Sequence, residues 1–278
     1  MPDLDSPEFD FEALREQERA LNVLAARTST AELGRQVYPG WKSLWYFDVI
    51  SDHLEACLRY VRGLPGGLRR IALQIPFQHG KSTIVEMFVA RALGVDPSLR
   101  IVNATYNVDF ARTRVDNVQR WMSHPAYRAA FGTRFGAAAS VEDDVAPGRG
   151  KAKSTPDKLQ NSANLFQVRG IDPAGQLQNM GGSFLSTSLG SGLNGRPYEI
   201  GIIDDPHKDE EAAASPVERR HVEERYDTIF ESREQARSVQ IFVFTRMSPD
   251  DLMGYALPRW EKAGIPHAVL RFPAILDD

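Results

Sequence analysis

The sequence predicts an α/β fold: a mostly parallel β-sheet flanked by helices, with an N-terminal helical segment ahead of it. Three observations predict it. Residues 70–75 are an apolar run that leads through a turn into Gly80-Lys81-Ser82-Thr83 and then a helical pattern. Strand and helix patterns alternate from there to residue 122, the signature of parallel strands with helices on both faces. Further on, four apolar or small residues, 200–203, lead to two adjacent carboxylates, Asp204 and Asp205. Acids at the carboxyl edge of a strand lie in the crevice where open α/β sheets bind their ligands.

The elements follow in order. Residues 9–37 read as one helix, with Phe11, Leu14, Leu21, Leu24 and Ala25 on its apolar face and Ser6 or Asp10 as its cap. Tyr38-Pro39-Gly40-Trp41 breaks it. A second helix, about 43–63, aligns Leu44, Phe47, Ile50, Leu54 and Leu58. The loop 63–67 leads to the strand 70–75. The helix 81–94 is expected to stop at Gly94. The strand 99–105 suits a buried parallel sheet, and Asp109 starts the helix 109–122, which exposes Arg112, Arg114 and Arg120.

Residues 140–163 are polar, without period, and basic through Arg149, Lys151, Lys153 and Lys158. They read as an exposed loop, with phosphate contact as the functional alternative. Short strands are expected at 165–168 and 183–187, with GIDPA at 170–174 as a loop and a Gly-rich loop over 188–196. The segment 216–236 reads as a charged helix with Val217, Val222, Tyr226 and Ile229 inward. A strand over 240–244, a helix from Ser248 or Pro249 through Ala256, and a strand over 267–272 complete the chain. Residues 1–66 are read as the helical segment and 67–278 as the core.

Composition narrows the class. The chain has 278 residues, 42% hydrophobic and 25% charged, at a net charge of −4, so nucleic-acid contact rests on local patches. Cys57 is the sole cysteine, which excludes an intrachain disulfide and a cysteine zinc cluster. The acidic N-terminus has no apolar signal core, and no run approaches a membrane span, so a cytoplasmic location is expected.

The stretch IALQIPFQHGKST, from Ile71 to Thr83, has the order a triphosphate cradle needs. A strand delivers a tight loop, backbone N–H groups converge on phosphate, and a helix N-terminus adds the positive end of its dipole. Lys81 then neutralises the β- and γ-phosphates and the Ser82 hydroxyl holds Mg²⁺. Ile75 stands where the usual pattern has its first glycine and is read as the last strand residue, with Pro76 opening a variant loop. Asp204 would hold Mg²⁺ through water, and Asp205 would orient or deprotonate the attacking water. Trp41 and His53 precede the cradle; each is read as core packing, with a base contact as the alternative.

Six landmarks in one order resemble the ATPase (motor) domain of a bacteriophage terminase large subunit. They are YPGW…DHLEACLRYVRG, PFQHGKST, IVNATYNVDFARTRVDNVQRWMSHPAYRAAFG, MGGSFLSTSLGSGLNGR, IIDDPHKDEEAAAS and FTRMSPDDL, from about Tyr38 onward. The resemblance implies an ASCE-like P-loop NTPase fold, with ATP and Mg²⁺ as cofactors. It assigns nucleotide binding to Pro76, Gln78, His79, Gly80, Lys81, Ser82 and Thr83, and metal binding to Ser82 and Asp204. Catalysis falls to Lys81, Asp205, Thr245 and Arg246, with Arg196 as an arginine that reaches a neighbouring subunit's site.

The implied partners are double-stranded DNA without sequence preference, a portal protein, a small terminase subunit and further copies in a ring, in the host cell cytoplasm. Arg112, Arg114, Arg120 and the basic loop are the DNA candidates.

Three departures stand out. The loop lacks an internal basic residue, which sends the search for positive charge to Arg196 or Arg112. Asp205 replaces the commoner Glu, leaving Glu210 as an alternative. Met247-Ser248 follows Thr245-Arg246 where an aromatic and a His are usual. A nuclease domain is expected to be absent, either cut away or carried by another chain. A helicase-like translocase is the alternative function; a phosphotransferase or a module that merely holds ATP fits less of the sequence.

Overall fold

A computed structural model describes residues 11–42, 44–135, 161–189, 193 and 195–273. The basic residues Arg149, Lys151, Lys153 and Lys158 and the caps Ser6 and Asp10 lie outside these.

The first pattern divides into α1 (Phe11–Thr28) and α2 (Thr30–Val37). Ser29 is extended, at φ −142° and ψ 135°, and its side chain accepts a hydrogen bond from the Glu32 N–H, so it caps α2. The apolar face expected to pack is solvent-facing: Phe11, Leu14, Leu21 and Leu24 are exposed, and α1 is anchored instead by buried Ala26 and by Arg27, which donates to the Ala130 carbonyl. Helix α3 (Trp45–Val61) buries Phe47, Ile50, Leu54 and Leu58 as its spacing predicts.

Next come β1 (Arg70–Gln74), α4 (Lys81–Val95), β2 (Arg100–Thr105), α5 (Val108–Ser123), α6 (Pro125–Phe131) and β3 (Arg134–Phe135). Gly94 does not end α4; the helix runs past it to a cap at Asp96, and a Cβ at Gly94 would meet the Phe131 ring at 2.5 Å. Its glycine serves close packing. Asn107, not Asp109, caps α5 by accepting from the Asp109 N–H.

After β4 (Asn161–Ser162), a hairpin of β5 (Leu165–Ile171) and β6 (Leu177–Ser188) turns at Asp172–Gly175, where the Gly175 N–H donates to the Asp172 carbonyl at 2.9 Å. Strand β7 (Tyr198–Asp204) leads to α7 (Glu210–Ala214) and α8 (Pro216–Arg225). The helix expected over 216–236 stops early: a π-helical turn, Tyr226–Phe230, and a short 3₁₀ turn, Glu231–Arg233, deliver the chain into β8 (Glu234–Phe244). Val217 is exposed, while Val222 and Tyr226 are buried. The chain continues through α9 (Leu252–Lys262), capped by Asp251, to β9 (His267–Arg271).

The described strands form one nine-stranded sheet in the order β3-β5-β6-β2-β7-β8-β1-β9, with β4 also on β5. From β6 to β9 every pairing is parallel; β3, β4 and β5 make an antiparallel margin. Alternation along each strand feeds two cores. Ile71 and Leu73 join α2, α3, α4 and α5 on one face, and Ala72 joins α8 and α9 on the other. The strand before the cradle and the strand bearing the acids are not neighbours: β8 lies between them.

A buried ion pair binds the N-terminal helices to the cradle helix. Glu55 of α3 pairs with Arg91 of α4 and accepts from Thr30 Oγ1 at 2.8 Å, and Arg91 also donates to the Arg27 carbonyl at 2.5 Å.

Candidate active site

The cradle follows β1. The Ile75 N–H still donates to the Phe244 carbonyl at 3.2 Å, so Ile75 extends the strand and Pro76 begins the turn. Gln78 has φ 63°, one of two left-handed non-glycine residues among those described. Gly80, at φ 73°, closes the turn as the N-cap of α4, and a Cβ there would meet the Phe47 ring at 2.6 Å. Glycine is required twice over, by backbone conformation and by space. Tyr46 Oη donates to the His79 carbonyl at 3.1 Å and ties α3 to the loop. His79 in turn sets a ring nitrogen 2.7 Å from the Phe77 carbonyl.

The helix thus opens with Lys81, Ser82 and Thr83 at its positive end. Lys81 is buried, 4.9 Å over the Phe77 ring, with Nζ 2.5 Å from Asp205 Oδ2. Nζ also donates to Thr245 Oγ1 at 2.9 Å. Thr245 Oγ1 itself donates to the Ile75 carbonyl at 3.0 Å, and the Thr245 N–H donates to Asp205 Oδ1 at 3.1 Å. Cradle, acid and the end of β8 therefore meet at one residue, the cradle at its hydroxyl and the acid at its N–H. Asp205 is the second left-handed residue, at φ 46°. Strain of this kind costs on the order of 1–3 kcal/mol and persists where the surroundings hold it; here Lys81 and Thr245 hold both carboxylate oxygens.

Asp204 ends β7 and is buried. Oδ2 lies 3.4 Å from the Ser82 hydroxyl and 2.7 Å from Arg114 Nη2, whereas Oδ1 is buried with no partner. Burial raises the Asp204 carboxyl above the usual range, against the opposing pull of Arg114. Among the described residues no cluster of three His, Cys, Asp or Glu side chains could hold a metal. One hydroxyl and one carboxylate with an orphaned oxygen of its own suit Mg²⁺, which keeps its waters and takes its other ligands from phosphates. Ser82 and Asp204 therefore fit that ion.

Arg114, expected to be exposed, is instead drawn into the site. It pairs with Glu86 and Asp204 and donates to Ser82 Oγ. Arg112 and Arg120 remain exposed on α5. Burial pushes Glu86 up to about 7 although Arg114 and Asn117 both favour its charged form. His207 is buried and its Nε2 accepts from the Leu252 N–H at 3.3 Å; burial lowers its pKa.

The remaining predicted residues fall into place unevenly. Arg246 turns away from Lys81: Nε meets Asp251 Oδ2 at 2.8 Å, and Nη2 donates to the Ser248 and Pro249 carbonyls at 3.0 and 2.8 Å. Arg196 is exposed just before β7, at the opposite end of that strand from Asp204. Six residues at ~3.3 Å each separate the strand's ends, so Arg196 stands apart from its own chain's cradle. Glu210 is exposed at the start of α7.

Two cavities flank the cradle. One, of about 470 Å³, is lined by Tyr38, Trp41, Tyr46 and Phe47 together with His79, Gly80 and Thr83. Trp41 and Phe47 pack at 4.9 Å between centroids, and Gly34 leaves room for the Trp41 ring, which would stand 2.3 Å from a Cβ there. His53 lies a turn away with its ring nitrogen 2.8 Å from the Val49 carbonyl. The second cavity, about 220 Å³, is bounded by Phe77, Tyr106, Phe110, His207 and Met247 around Asp204 and Asp205. Of these aromatic linings the sequence reading named only Trp41 as a base-contact alternative; the strand-turn-helix before Phe110 and the aromatic run Trp45-Tyr46-Phe47 were the available signals for the rest.

No protein-family model and no curated protein matches the sequence. Among solved structures the chain is similar to a mutant ATPase domain of the Thermus phage P74-26 large terminase, at 14% identity over 66% of this chain and 62% of that one, TM-score 0.40. It is similar to the HK97 bacteriophage large terminase at 13% identity over 81% of this chain and 40% of that one, TM-score 0.46. The unmutated P74-26 ATPase domain gives 14% identity over 75% of this chain and 61% of that one, TM-score 0.35. The chain spans less than two thirds of the length of each.

Proposed function

We propose that this chain is an Mg²⁺-dependent ATPase, the motor domain of a phage large terminase that drives double-stranded DNA into a procapsid in the host cytoplasm. One observation carries the hydrolytic part. Lys81 from the cradle and Asp205 from the acid strand are held against Thr245, so a phosphate-binding cation and a water-handling carboxylate converge from three elements.

ATP would lay its phosphates over the loop 76–83, where the α4 N-terminus and backbone N–H groups favour anions. Its base fits the aromatic cavity of Tyr38, Trp41, Tyr46 and Phe47. Lys81 transfers from Asp205 to the phosphates, which frees Asp205 to accept a proton from, or orient, the attacking water. Ser82 and Asp204 would hold Mg²⁺, which supplies charge neutralisation on the phosphates when bound. Arg196, placed away from its own cradle, is assigned to a neighbouring copy in a ring. Portal protein and small terminase subunit are the further partners. Backbone-only grip on duplex DNA calls for binding that ignores sequence and weakens steeply with salt.

The test is nucleotide binding and ATP turnover by the purified chain beside Lys81→Ala. The variant is expected to keep its fold and lose turnover by at least ~10²-fold, in line with removal of one charge-stabilising group. Full activity in a folded variant refutes the assignment.

A further inference from the structure

The hydrolysis reading leaves Arg114 without a task, yet its guanidinium is shared among three groups of the site. One nitrogen, Nη2, donates to Ser82 Oγ at 2.7 Å and lies 2.7 Å from Asp204 Oδ2. Those are the hydroxyl and the carboxylate that fit a divalent cation. The other, Nη1, lies 2.8 Å from Glu86 Oε1, while Asn117 Nδ2 holds Glu86 Oε2 at 3.0 Å. Glu86 and Asp204 are both buried. Two buried carboxylates this close to one cation would otherwise be driven to protonate. A planar, two-pronged side chain can keep one nitrogen on Glu86 while the other spans Ser82 and Asp204; an ammonium is a single point and cannot.

We infer that Arg114 is a tethered stand-in for the divalent cation: its Nη2 fills the place between Ser82 and Asp204 until metal and nucleotide arrive together, while Nη1 keeps its hold on Glu86. The inference rests on Ser82 and Asp204 being the metal-holding pair. Arg114 is then a positioning residue that acts through those two. It keeps the acid end of the site charge-balanced when empty and keeps free divalent ions out. A metal enters when the nucleotide phosphates bring enough further ligands to displace a guanidinium.

The experiment titrates Mn²⁺ alone into the nucleotide-free full chain and follows the paramagnetic resonance of the unbound ion. Wild-type protein is expected to bind weakly. Arg114→Met, which removes the charge and keeps an apolar stem, is expected to bind about tenfold or more tightly, the lower end of coupling between close charge pairs. Arg114→Lys, which restores the charge at a single point only, is expected to bind between Met and wild type. A purely structural role gives no gain of metal affinity in either variant. Equal Mn²⁺ affinity in wild type and folded Arg114→Met overturns the inference.

Should Arg114→Met fail to fold, the ¹⁵N spectrum of arginine side chains in wild-type protein decides. The restrained Arg114 signal is expected to change with Mg²⁺ and ADP together and not with ADP plus a chelator; a signal indifferent to Mg²⁺ and ADP overturns the inference. Fluorescent ADP binding in the same samples reads the cradle separately. No ADP binding beside a clear Mn²⁺ difference counts against the ATPase reading alone.

Discussion

Lys81 Nζ stands 2.5 Å from Asp205 Oδ2, so the two groups assigned to phosphate and to water neutralise each other. On the proposed ATPase reading, a nucleotide must part them before either can act. Breaking a largely shielded pair is costly unless the incoming ligand replaces the lost partner, and phosphate would do so for Lys81.

Asp205→Asn separates binding from chemistry. The variant removes the anion that competes for Lys81, so ATP affinity is expected to hold or rise a few-fold while turnover drops by ~10²–10⁴-fold, the range for a lost general base. Fluorescent-nucleotide titration beside steady-state hydrolysis reads both. Undiminished turnover moves the role to another carboxylate.

Thr245→Val keeps the side-chain volume and deletes the hydroxyl that accepts from Lys81 and donates to Ile75. Each such hydrogen bond contributes about 0.5–1.5 kcal/mol. Turnover is expected to fall by roughly tenfold with nucleotide affinity little changed, and Thr245→Ser is expected to recover it. If Thr245→Ser behaves as Val does, the hydroxyl alone does not account for the loss.

Tyr46→Phe tests the aromatic cavity and its tie to the loop. Loss of the hydrogen bond to the His79 carbonyl is expected to raise KM for ATP by about 2–10-fold with kcat retained, the equivalent of one neutral hydrogen bond. A fall in kcat at unchanged KM would place Tyr46 outside nucleotide binding.

Glu86 gives the fold a pH dependence of definite sign. Burial pushes its carboxyl up to about 7, against about 4.3 in an unfolded chain. The folded state therefore holds the proton more tightly. That stability is fully present below the unfolded value and is lost as pH rises through about 7. Urea midpoints between pH 5 and 8 are expected to decline more in wild type than in Glu86→Gln. A wild-type midpoint that climbs with pH over that range contradicts the assignment.

Local signals were strong where chemistry and backbone agree. The run from Ile71 to Thr83 and the acids after Ile203 are legible because a strand, a turn and a helix start each leave their own mark on neighbouring residues. The break at Ser29 was legible too, through Ser29-x-x-Glu32, but the apolar repeat across it reads more loudly than one capping residue.

What stayed hidden depends on distant partners. Arg114 looks like any exposed helical arginine until Glu86 and Asp204, 28 and 90 residues away, are folded beside it. Glu234 to Ala236 look helical by composition, yet the pairing of Glu234 with Tyr198 and with the Arg70 guanidinium makes them the start of a strand. Leu14, Leu21 and Leu24 carry the right spacing, but nothing in spacing says whether a neighbour is there to cover them.

The strand between the cradle and the acids has a mechanical meaning. β8 pairs with β1 from Arg70 to Gln74 on one side and with β7 from Ile200 to Asp204 on the other. Cradle and acids are thus two jaws hung on one spine, with no ladder bond directly between them. Thr245, just past the tip of that spine, touches both, and Arg246 locks the following turn to Asp251, the cap of α9. The gap between the jaws, the spine's tip and α9 are therefore joined by one unbroken chain of contacts. β8 is the one strand that both jaws share, so their separation is set across its width.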